Sequence, residues 1–339
     1  MAAFYKARGH KLLARFTRGR GAILMLHSVS PEPSPQFDPN GGLRVNPDYL
    51  DRAIRLVKSE GYDIISLDEV PARLKGPAKA KPFVAFTLDD GYRDNLVHAL
   101  PVFQRHQAPF CIYVPTGFAH GRADLWWFGL EGAIAAGKPL ALAMDGRQRR
   151  FECRTLAGKE QAWHEIYWWL RGIDEDEARG AVHRLCAQAG FDDGGLARER
   201  LMTLDEIRWI AAGPLCTIGA HTVNHYSLAK LDAERCREEI VRSKTGLEEL
   251  LGKPVRHFSY PYGSSSDAGA REFEMARQAG FATAVTTRKG LLFGDHALYL
   301  AALPRLSLNG EIQDERLLAV LLGGAPFALL NGFRRVSVS

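Results

Sequence analysis

Short runs of apolar residues recur along the chain and predict β-strands. They cover residues 22–26, 63–66, 83–88, 110–114, 216–220, 257–260, 283–286 and 303–308. Within most of these runs apolar residues follow one another directly instead of alternating with polar ones. This pattern is typical of strands that are buried on both faces, as in a parallel sheet.

Amphipathic segments between many of these runs predict helices. Residues 48–61 place Leu50, Ile54 and Val57 on one stripe and end at a glycine. Residues 232–252 begin with an acidic cap and also end at a glycine. Alternation of strands and helices predicts an α/β fold. Because there are seven or eight strands, we expect a distorted (β/α)7-8 TIM-like barrel.

The stretch from about residue 122 to residue 204 interrupts this alternation, because it contains no convincing strand. It carries Trp126 and Trp127, followed by helix-like patterns at 160–171 and 175–189. We interpret it as a helical insertion within one barrel. The expected organisation is a basic N-terminal segment at 1–20, a single barrel domain at 21–310 with the insertion at about 122–204, and a C-terminal tail or helix at 311–339.

Composition and charge are ordinary for a globular chain, with 46% apolar and 24% charged residues and a net charge of +5. Part of the positive charge lies near the ends, between Lys6 and Arg20 and at Arg334-Arg335. Solvated ends are favoured over contact with an anionic membrane surface. No run of basic residues interleaved with aromatic ones is present, so nucleic acid is not expected as a partner.

The cysteines and the apolar segments bear on the compartment. The five cysteines include no pair with Cys-x-x-Cys spacing, which argues against a zinc knuckle or a redox motif and favours a reducing compartment. The N-terminal residues lack the features of a secretory signal. The apolar stretch 317–330 is interrupted by glycines and a proline and is too short to span a bilayer. We therefore expect a cytoplasmic protein, with peripheral membrane contact as an alternative.

Polar residues able to do chemistry lie in or just after several of the predicted strands. They are His27, Asp89, Asp90, His221, Pro261 with Tyr262, and Arg305. In a barrel the carboxyl ends of all strands open onto one face, so residues distant in sequence converge there. The pattern therefore predicts a single site at that face.

Two histidines four residues apart, His221 and His225, complement the aspartate pair Asp89 and Asp90. A catalytic zinc usually takes three protein ligands and keeps one position for water. Two imidazoles and one carboxylate supply three ligands, and the second carboxylate remains to take a proton. Each motif alone has an ordinary explanation: a capped turn for Asp-Asp-Gly, a surface or core pair for the histidines, and a structural role for His27. Their shared position at strand ends favours a hydrolytic metal site.

Three motifs resemble those of a known family. Thr87-Leu-Asp-Asp-Gly91, His221-Thr-Val-Asn-His225 and Tyr260-Pro-Tyr-Gly263 are similar to the first three motifs of the NodB-type polysaccharide deacetylases, carbohydrate esterase family four, and the similarity covers roughly residues 20–308. The resemblance implies that Asp90, His221 and His225 bind a divalent cation, usually zinc. It also implies that Asp89 is the general base. The backbone N–H of Tyr262 would help to hold the oxyanion, and its ring would border the sugar.

The chain departs from the commonest family pattern in two places. Ser259 stands where an arginine usually orients the catalytic aspartate, and Leu303-Pro-Arg305 stands near where a Leu-x-His motif usually supplies the general acid. The early motif Leu26-His27-Ser-Val29 is instead similar to that of the biofilm poly-N-acetylglucosamine deacetylases, whose motif order is circularly shifted. The resemblance gives the acid role to His27. Arg305 is a candidate partner for Asp89 in place of the missing arginine, with a purely structural salt bridge equally open.

We therefore expect a metal-dependent hydrolase that removes N-acetyl groups from amino sugars of a polysaccharide or glycan. A metal-bound water would attack the amide, with Asp89 as base and His27 as acid. Trp126 and Trp127 would contact the sugar, since aromatic faces stack on pyranose rings, although core packing explains them nearly as well.

Three alternatives remain open at this stage. The substrate could be a lipid-linked or nucleotide-linked amino sugar, or a formamide. The enzyme could instead be an amidase that acts on a non-sugar amide such as a cyclic ureide. The chain could also be a non-catalytic glycan-binding barrel, but a binding module would not need both metal ligands and a base. The sequence does not predict the oligomeric state.

Overall fold

The computed structural model describes residues 14, 16–77, 79–119, 124–332 and 334–336. Its strands, in chain order, are β1 Gly21–Leu26, β2 Ser28–Val29, β3 Arg44–Val45, β4 Asp63–Ile64, β5 Phe83–Leu88, β6 Phe110–Val114, β7 Leu140–Met144, β8 Arg147–Phe151, β9 Cys216–Ala220, β10 His257–Ser259, β11 Thr283–Lys289 and β12 Leu303–Ser307. All eight predicted strands are present, although the runs at 63–66 and 257–260 form shorter strands than their apolar length indicated.

Thirteen α-helices lie among the described residues. They are α1 Pro47–Ser59, α2 Val70–Lys75, α3 Leu100–His106, α4 Thr116–Ala119, α5 Trp126–Ala135, α6 Leu156–Gly172, α7 Glu175–Ala189, α8 Leu196–Arg200, α9 Leu204–Ala211, α10 Ala233–Leu251, α11 Ala270–Gln278, α12 Glu315–Leu322 and α13 Ala325–Leu330. The capping predicted for α10 is present: the Asp232 carboxylate accepts a hydrogen bond from the Arg235 N–H, and Gly252 ends the helix in a left-handed conformation.

Seven parallel strands close the barrel in the order β1, β12, β11, β10, β9, β6 and β5. The closing pair, β5 with β1, is in parallel register from Gly21 opposite Phe83 to Leu26 opposite Leu88. The short β4 pairs only with Phe83 and Val84, the first two residues of β5, whereas β6 pairs with β5 from Phe86 onward. The predicted α/β fold, a TIM-like barrel of seven to eight strands, is confirmed.

Burial on both sides of the barrel wall explains the continuous apolar runs. Along β1, Ala22, Leu24 and Leu26 belong to the large core between the barrel and its helices. Ile23 belongs to a second cluster, with Tyr113 of β6, on the inner side of the wall. Successive side chains of a strand point to opposite faces, so a strand with two buried faces must be apolar at nearly every position.

The insertion has its own core, formed mainly by α5, α6 and α7. The expectation that it contains no strand was wrong, because β7 and β8 form an antiparallel hairpin in which Leu140 lies opposite Phe151. The hairpin turns at Asp145-Gly146, both with positive φ, as a two-residue type I′ turn requires. In β7 the residues alternate between buried and more exposed positions, which is the pattern of a half-buried strand.

The proposed segment boundaries stay predictions. Residues 1–13 and 15 of the basic N-terminal segment, residues 120–123 around the start of the insertion, and residues 333 and 337–339 of the tail lie outside the described residues. The apolar stretch 317–330 forms most of α12 and all of α13. Within the described residues, no helix combines the length and apolar character needed to cross a membrane.

We expect Gly219→Ala in β9 to lower the free energy of unfolding by about 1–3 kcal/mol. Gly219 lies opposite Tyr113 in the barrel wall, and an added Cβ would overlap the Tyr113 ring and lie 3.0 Å from the His257 carbonyl oxygen. Gly172→Ala at the end of α6 is the matched control, because a Cβ there meets open space. Urea unfolding of the two variants measures the difference; equal stabilities would contradict this account of the wall.

Candidate active site

A cavity of about 560 Å³ opens at the carboxyl ends of the barrel strands. Most of the residues singled out from the sequence line it, namely His27, Asp89, Asp90, Trp126, Trp127, His221, His225 and Tyr262. Two of the predicted residues do not line it. Pro261 is buried in the turn before Tyr262, and Arg305 lies behind Asp89 in β12.

Asp90, His221 and His225 form a compact cluster in which all three side chains are buried. The Asp90 Oδ1 atom lies 3.5 Å from the His221 Nε2 atom and 3.3 Å from the His225 Nε2 atom. The His221 Nδ1 atom is 2.6 Å from the Ser259 carbonyl oxygen, a contact that fixes the ring and directs Nε2 into the cluster.

This cluster fits a divalent cation. One carboxylate and two imidazoles are a common ligand set for catalytic zinc. The buried Asp90 Oδ1 atom has no hydrogen-bond partner among the described residues, whereas buried carboxylate oxygens ordinarily have one. Burial favours the neutral form of His225 and lowers its pKa despite the nearby Asp90 carboxylate, and neutral imidazole is the form that binds metals.

Asp89 lies beside this cluster and is bound by Arg305 through two parallel hydrogen bonds. The Arg305 Nη1 and Nη2 atoms donate to the two Asp89 carboxylate oxygens, each at 2.7 Å. Both side chains are almost fully buried. Burial alone would raise the pKa of Asp89, but the charge and hydrogen bonds of Arg305 outweigh it and lower that pKa, so the carboxylate is ionised.

The remaining Arg305 donors are also satisfied inside the barrel. Its Nε atom donates to the Thr286 carbonyl oxygen at 2.9 Å, and its Nη atoms contact the hydroxyls of Thr87 at 3.2 Å and Ser259 at 3.0 Å. The small Ser259 side chain leaves room for the guanidinium and lies 3.4 Å from Asp89. A buried guanidinium needs this many acceptors to offset the loss of water.

Several site residues have backbone conformations that are unusual for their type. Asp90, Thr222, His225 and Tyr262 have φ values of +74°, +65°, +56° and +58°. Non-glycine residues in this region cost about 1–3 kcal/mol each and persist only when the surrounding structure holds them in place. The strain therefore marks turns whose shape is imposed by tertiary contacts.

Glu239 of α10 supplies such a contact, although the sequence analysis gave it no role. Its carboxylate accepts hydrogen bonds from the backbone N–H groups of Val223 and Asn224, at 2.9 and 2.8 Å, and from the Asn224 side-chain amide at 2.6 Å. These bonds fix the loop between the two histidines, residues 221–225, which we call the histidine loop. A glutamate on the inward face of an amphipathic helix is the sequence signal that could have identified it, and in the structure Glu239 is buried.

Arg179 of α7 holds the same loop from the other side. Its Nη2 atom donates to the carbonyl oxygens of Asn224 at 3.1 Å and His225 at 3.4 Å, while its Nη1 atom pairs with the Glu175 carboxylate at 2.8 Å. The insertion thus contacts the backbone of a candidate metal ligand. No pattern in the sequence indicated this contact.

His27 is half-buried at the cavity wall, and the segment after it is held by two further residues that sequence analysis missed. The Asn95 side-chain amide donates to the His27 carbonyl oxygen at 2.7 Å. Asp94 accepts hydrogen bonds from the Ser28 hydroxyl and from the Val29 N–H. The position of His27 therefore depends on the turn that follows Asp89 and Asp90.

The tryptophans divide into buried and exposed members. Trp126 and Trp127 are buried, and their indole N–H groups donate to the hydroxyls of Tyr262 at 2.9 Å and Tyr92 at 3.2 Å. They form the cavity wall, so the core-packing explanation holds for much of their surface. Trp168 of α6 also lines the cavity and is 61% exposed. The sequence analysis did not select it.

Comparison with known proteins relates part of this chain to a protein family. Residues 188–284 match the polysaccharide deacetylase family model. No curated protein sequence matches the chain. The match spans β9, the histidine loop and β10, and therefore includes His221, His225 and Tyr262.

Similar solved structures include the deacetylase PplD of Streptococcus pyogenes in complex with acetate, which is 20% identical with a TM-score of 0.59 over 88% of this chain and 97% of that one. IcaB from Ammonifex degensii is 19% identical with a TM-score of 0.57, over 91% and 98% of the two chains. A de-N-acetylase from Aggregatibacter actinomycetemcomitans is 14% identical with a TM-score of 0.57, over 88% and 99%. At these identities the likeness shows a shared barrel fold. The match of residues 188–284 confirms the resemblance to polysaccharide deacetylases that the motifs indicated, and the solved structures confirm the barrel fold.

Proposed function

We propose that the protein removes N-acetyl groups from amino sugars of a glycan, using a divalent cation, an aspartate base and a histidine acid. The observation that carries this proposal is the placement of an ionised, arginine-bound Asp89 beside the Asp90, His221 and His225 cluster, in a cavity walled by aromatic rings. Amide hydrolysis needs activation of the carbonyl, removal of a proton from water and protonation of the leaving amine.

Asp90, His221 and His225 would hold the cation, with zinc as the foremost candidate. When bound, such an ion supplies Lewis acidity to the amide carbonyl and to the attacking water. The nearby imidazoles outweigh the effect of burial and hold the pKa of Asp90 well below its usual range, so it is ready to act as an anionic ligand. The loop held by Glu239 presents both imidazoles to it.

Asp89 would accept the proton of the attacking water. The two bonds from Arg305 lower its basicity, because they stabilise the ionised form. In return they keep the carboxylate ionised and fixed in orientation next to the cation ligands. A fixed base loses little entropy when it reacts, which is a large part of what positioning contributes to rate.

His27 would donate a proton to the departing amine, since an amide nitrogen leaves poorly as an anion. It lines the same cavity as both aspartates. The Tyr262 N–H is proposed to stabilise the oxyanion, as its strained backbone turns the peptide at the cavity wall. The Arg171 guanidinium lies over the Tyr262 ring, with its Cζ atom 3.5 Å from the ring centroid. The Tyr262 ring would border the sugar.

We expect Asp89→Asn to bind zinc normally but to release acetate from an acetylated chitooligosaccharide about 10²–10⁴-fold more slowly, the scale of general-base removal. His27→Ala should likewise keep its metal and lose turnover. Metal analysis and acetate assays of both variants measure this, with the wild-type protein as reference. Normal turnover by Asp89→Asn would overturn the assignment of the base, and metal binding without any acetate release by the wild-type protein would favour a glycan-binding barrel or a different amide.

Glu239→Gln is expected to weaken zinc binding by about 10–100-fold, the usual effect of removing a residue that orients metal ligands. The variant keeps the shape of the side chain but loses an anionic acceptor for two backbone N–H groups of the histidine loop. Glu249→Gln, at an exposed position of the same helix, is the matched control. Competition with a zinc-binding dye reports both affinities; equal values for the two variants would show that the loop holds its shape without Glu239.

Arg305→Met should move the acidic limb of the kcat/KM profile upward by about 1–3 pH units, because loss of the adjacent cation raises the pKa of Asp89. The base then stays protonated up to a higher pH, so activity appears only at that higher pH. Arg305→Lys keeps the charge and should move the limb less. The profiles are compared at a temperature where all three proteins are folded, because an unpaired buried carboxylate lowers the free energy of unfolding by about 3–5 kcal/mol. An unmoved limb in Arg305→Met would mean that another group titrates there.

A further inference from the structure

A second cavity of about 560 Å³ lies on the barrel wall between the end of β11 and the C-terminal helix α13. Four cationic side chains line it: Arg288, Lys289, Arg334 and Arg335. Among the described residues that line it, none is an aspartate or a glutamate. We call this cavity, defined by those four residues, the basic groove.

Within the described part of the chain, no ion pair with a carboxylate involves the cations of the basic groove, although Arg288 and Arg335 lie over the rings of Phe273 and Phe293. The Arg288 Nε and Nη1 atoms are buried without a hydrogen-bond acceptor, while its Nη2 atom donates to the Ala268 carbonyl oxygen at 2.9 Å. Elsewhere in the fold buried arginines such as Arg179 and Arg305 are paired with carboxylates. Four cationic side chains with no carboxylate among the described lining residues fit an anion with several oxygens, and phosphate accepts hydrogen bonds from guanidinium groups well.

Apolar side chains border the cations. Phe16 and Leu330 line the basic groove and are 79% and 70% exposed, and Phe327 lies deeper in the same wall. Exposed apolar residues next to a cluster of cations fit a ligand with an anionic head and an apolar chain. Residues 1–13 of this protein contain basic but no acidic side chains, so their charge does not complement the groove.

The basic groove adjoins the candidate active site. Thr287 lines both cavities, and its hydroxyl donates to the Tyr262 carbonyl oxygen at 2.5 Å. We propose that the basic groove binds a phosphate group that joins the amino sugar to a lipid chain, so that the substrate is a lipid-phosphate-linked glycan. The assignment of this ligand to the substrate rests on the proposed function; the phosphate and alkyl site itself does not.

Calorimetric titration tests the site without any hydrolysis. Dodecyl phosphate, below its micelle concentration, should bind at least about tenfold more tightly than inorganic phosphate, because the alkyl chain adds apolar burial. The double variant Arg334→Gln/Arg335→Gln, changed only at exposed side chains, should bind dodecyl phosphate on the order of tenfold more weakly. Arg237→Gln, an exposed position that lines neither cavity, is the control. Equal binding by the two variants, or equal binding of neutral dodecyl maltoside, would overturn the site.

Kinetics test whether the bound group belongs to the substrate. N-acetylglucosamine joined through a diphosphate to a dodecyl chain is compared with dodecyl N-acetylglucosaminide, which has no phosphate. The ratio of kcat/KM for the first over the second should fall about tenfold in the Arg334→Gln/Arg335→Gln variant and not in Arg237→Gln. A constant ratio, together with cosedimentation of the wild-type protein with phosphatidylglycerol vesicles, would reassign the groove to a membrane headgroup and overturn the lipid-linked substrate. Binding of dodecyl phosphate with no acetate released from either sugar or from the acetylated chitooligosaccharide would refute the proposed function and leave the groove in place.

Discussion

The ion pair between Arg305 and Asp89 is the interaction on which the site depends. Both groups are withdrawn from water inside the barrel, and that withdrawal costs several kcal/mol for each ion. The cost is offset only because every guanidinium nitrogen has an acceptor and both carboxylate oxygens have a donor. Loss of Arg305 would leave a buried carboxylate that gains by taking a proton. The barrel interior is therefore built around one charged pair at the end where the cavity opens.

The position of Arg305 also accounts for Ser259. An arginine at the end of β10 and an arginine in β12 could not both occupy the space behind Asp89, because a single guanidinium already fills it and contacts the Ser259 hydroxyl at 3.0 Å. Parallel strands of a closed barrel bring their side chains to common layers. A charge needed at one point can therefore come from more than one strand, and a motif can lack its arginine without loss of the interaction.

Much of the fold and of the site could be predicted from sequence because the signals were local. Burial of a strand on both faces requires continuous apolar runs, and residues at strand ends must converge. The β7–β8 hairpin was missed although Asp145-Gly146 is a local turn signal, because tryptophans and helical patterns dominated that stretch. The contacts of Glu239 and Arg179 to the histidine loop could not be predicted, since they depend on a loop conformation that tertiary packing imposes.

The strained backbone of the histidine loop requires the side chains that hold it in place. His225 and Thr222 have positive φ, and a chain free to relax would leave that region. Two ionic side chains prevent relaxation: Glu239 of α10 binds the N–H groups on one side of the loop, and Arg179 of α7 binds the carbonyl oxygens on the other. Because α7 belongs to the insertion, this segment does more than wall the cavity. It supplies half of the contacts that keep two imidazoles directed at Asp90, so the barrel and its insertion together form the candidate metal site.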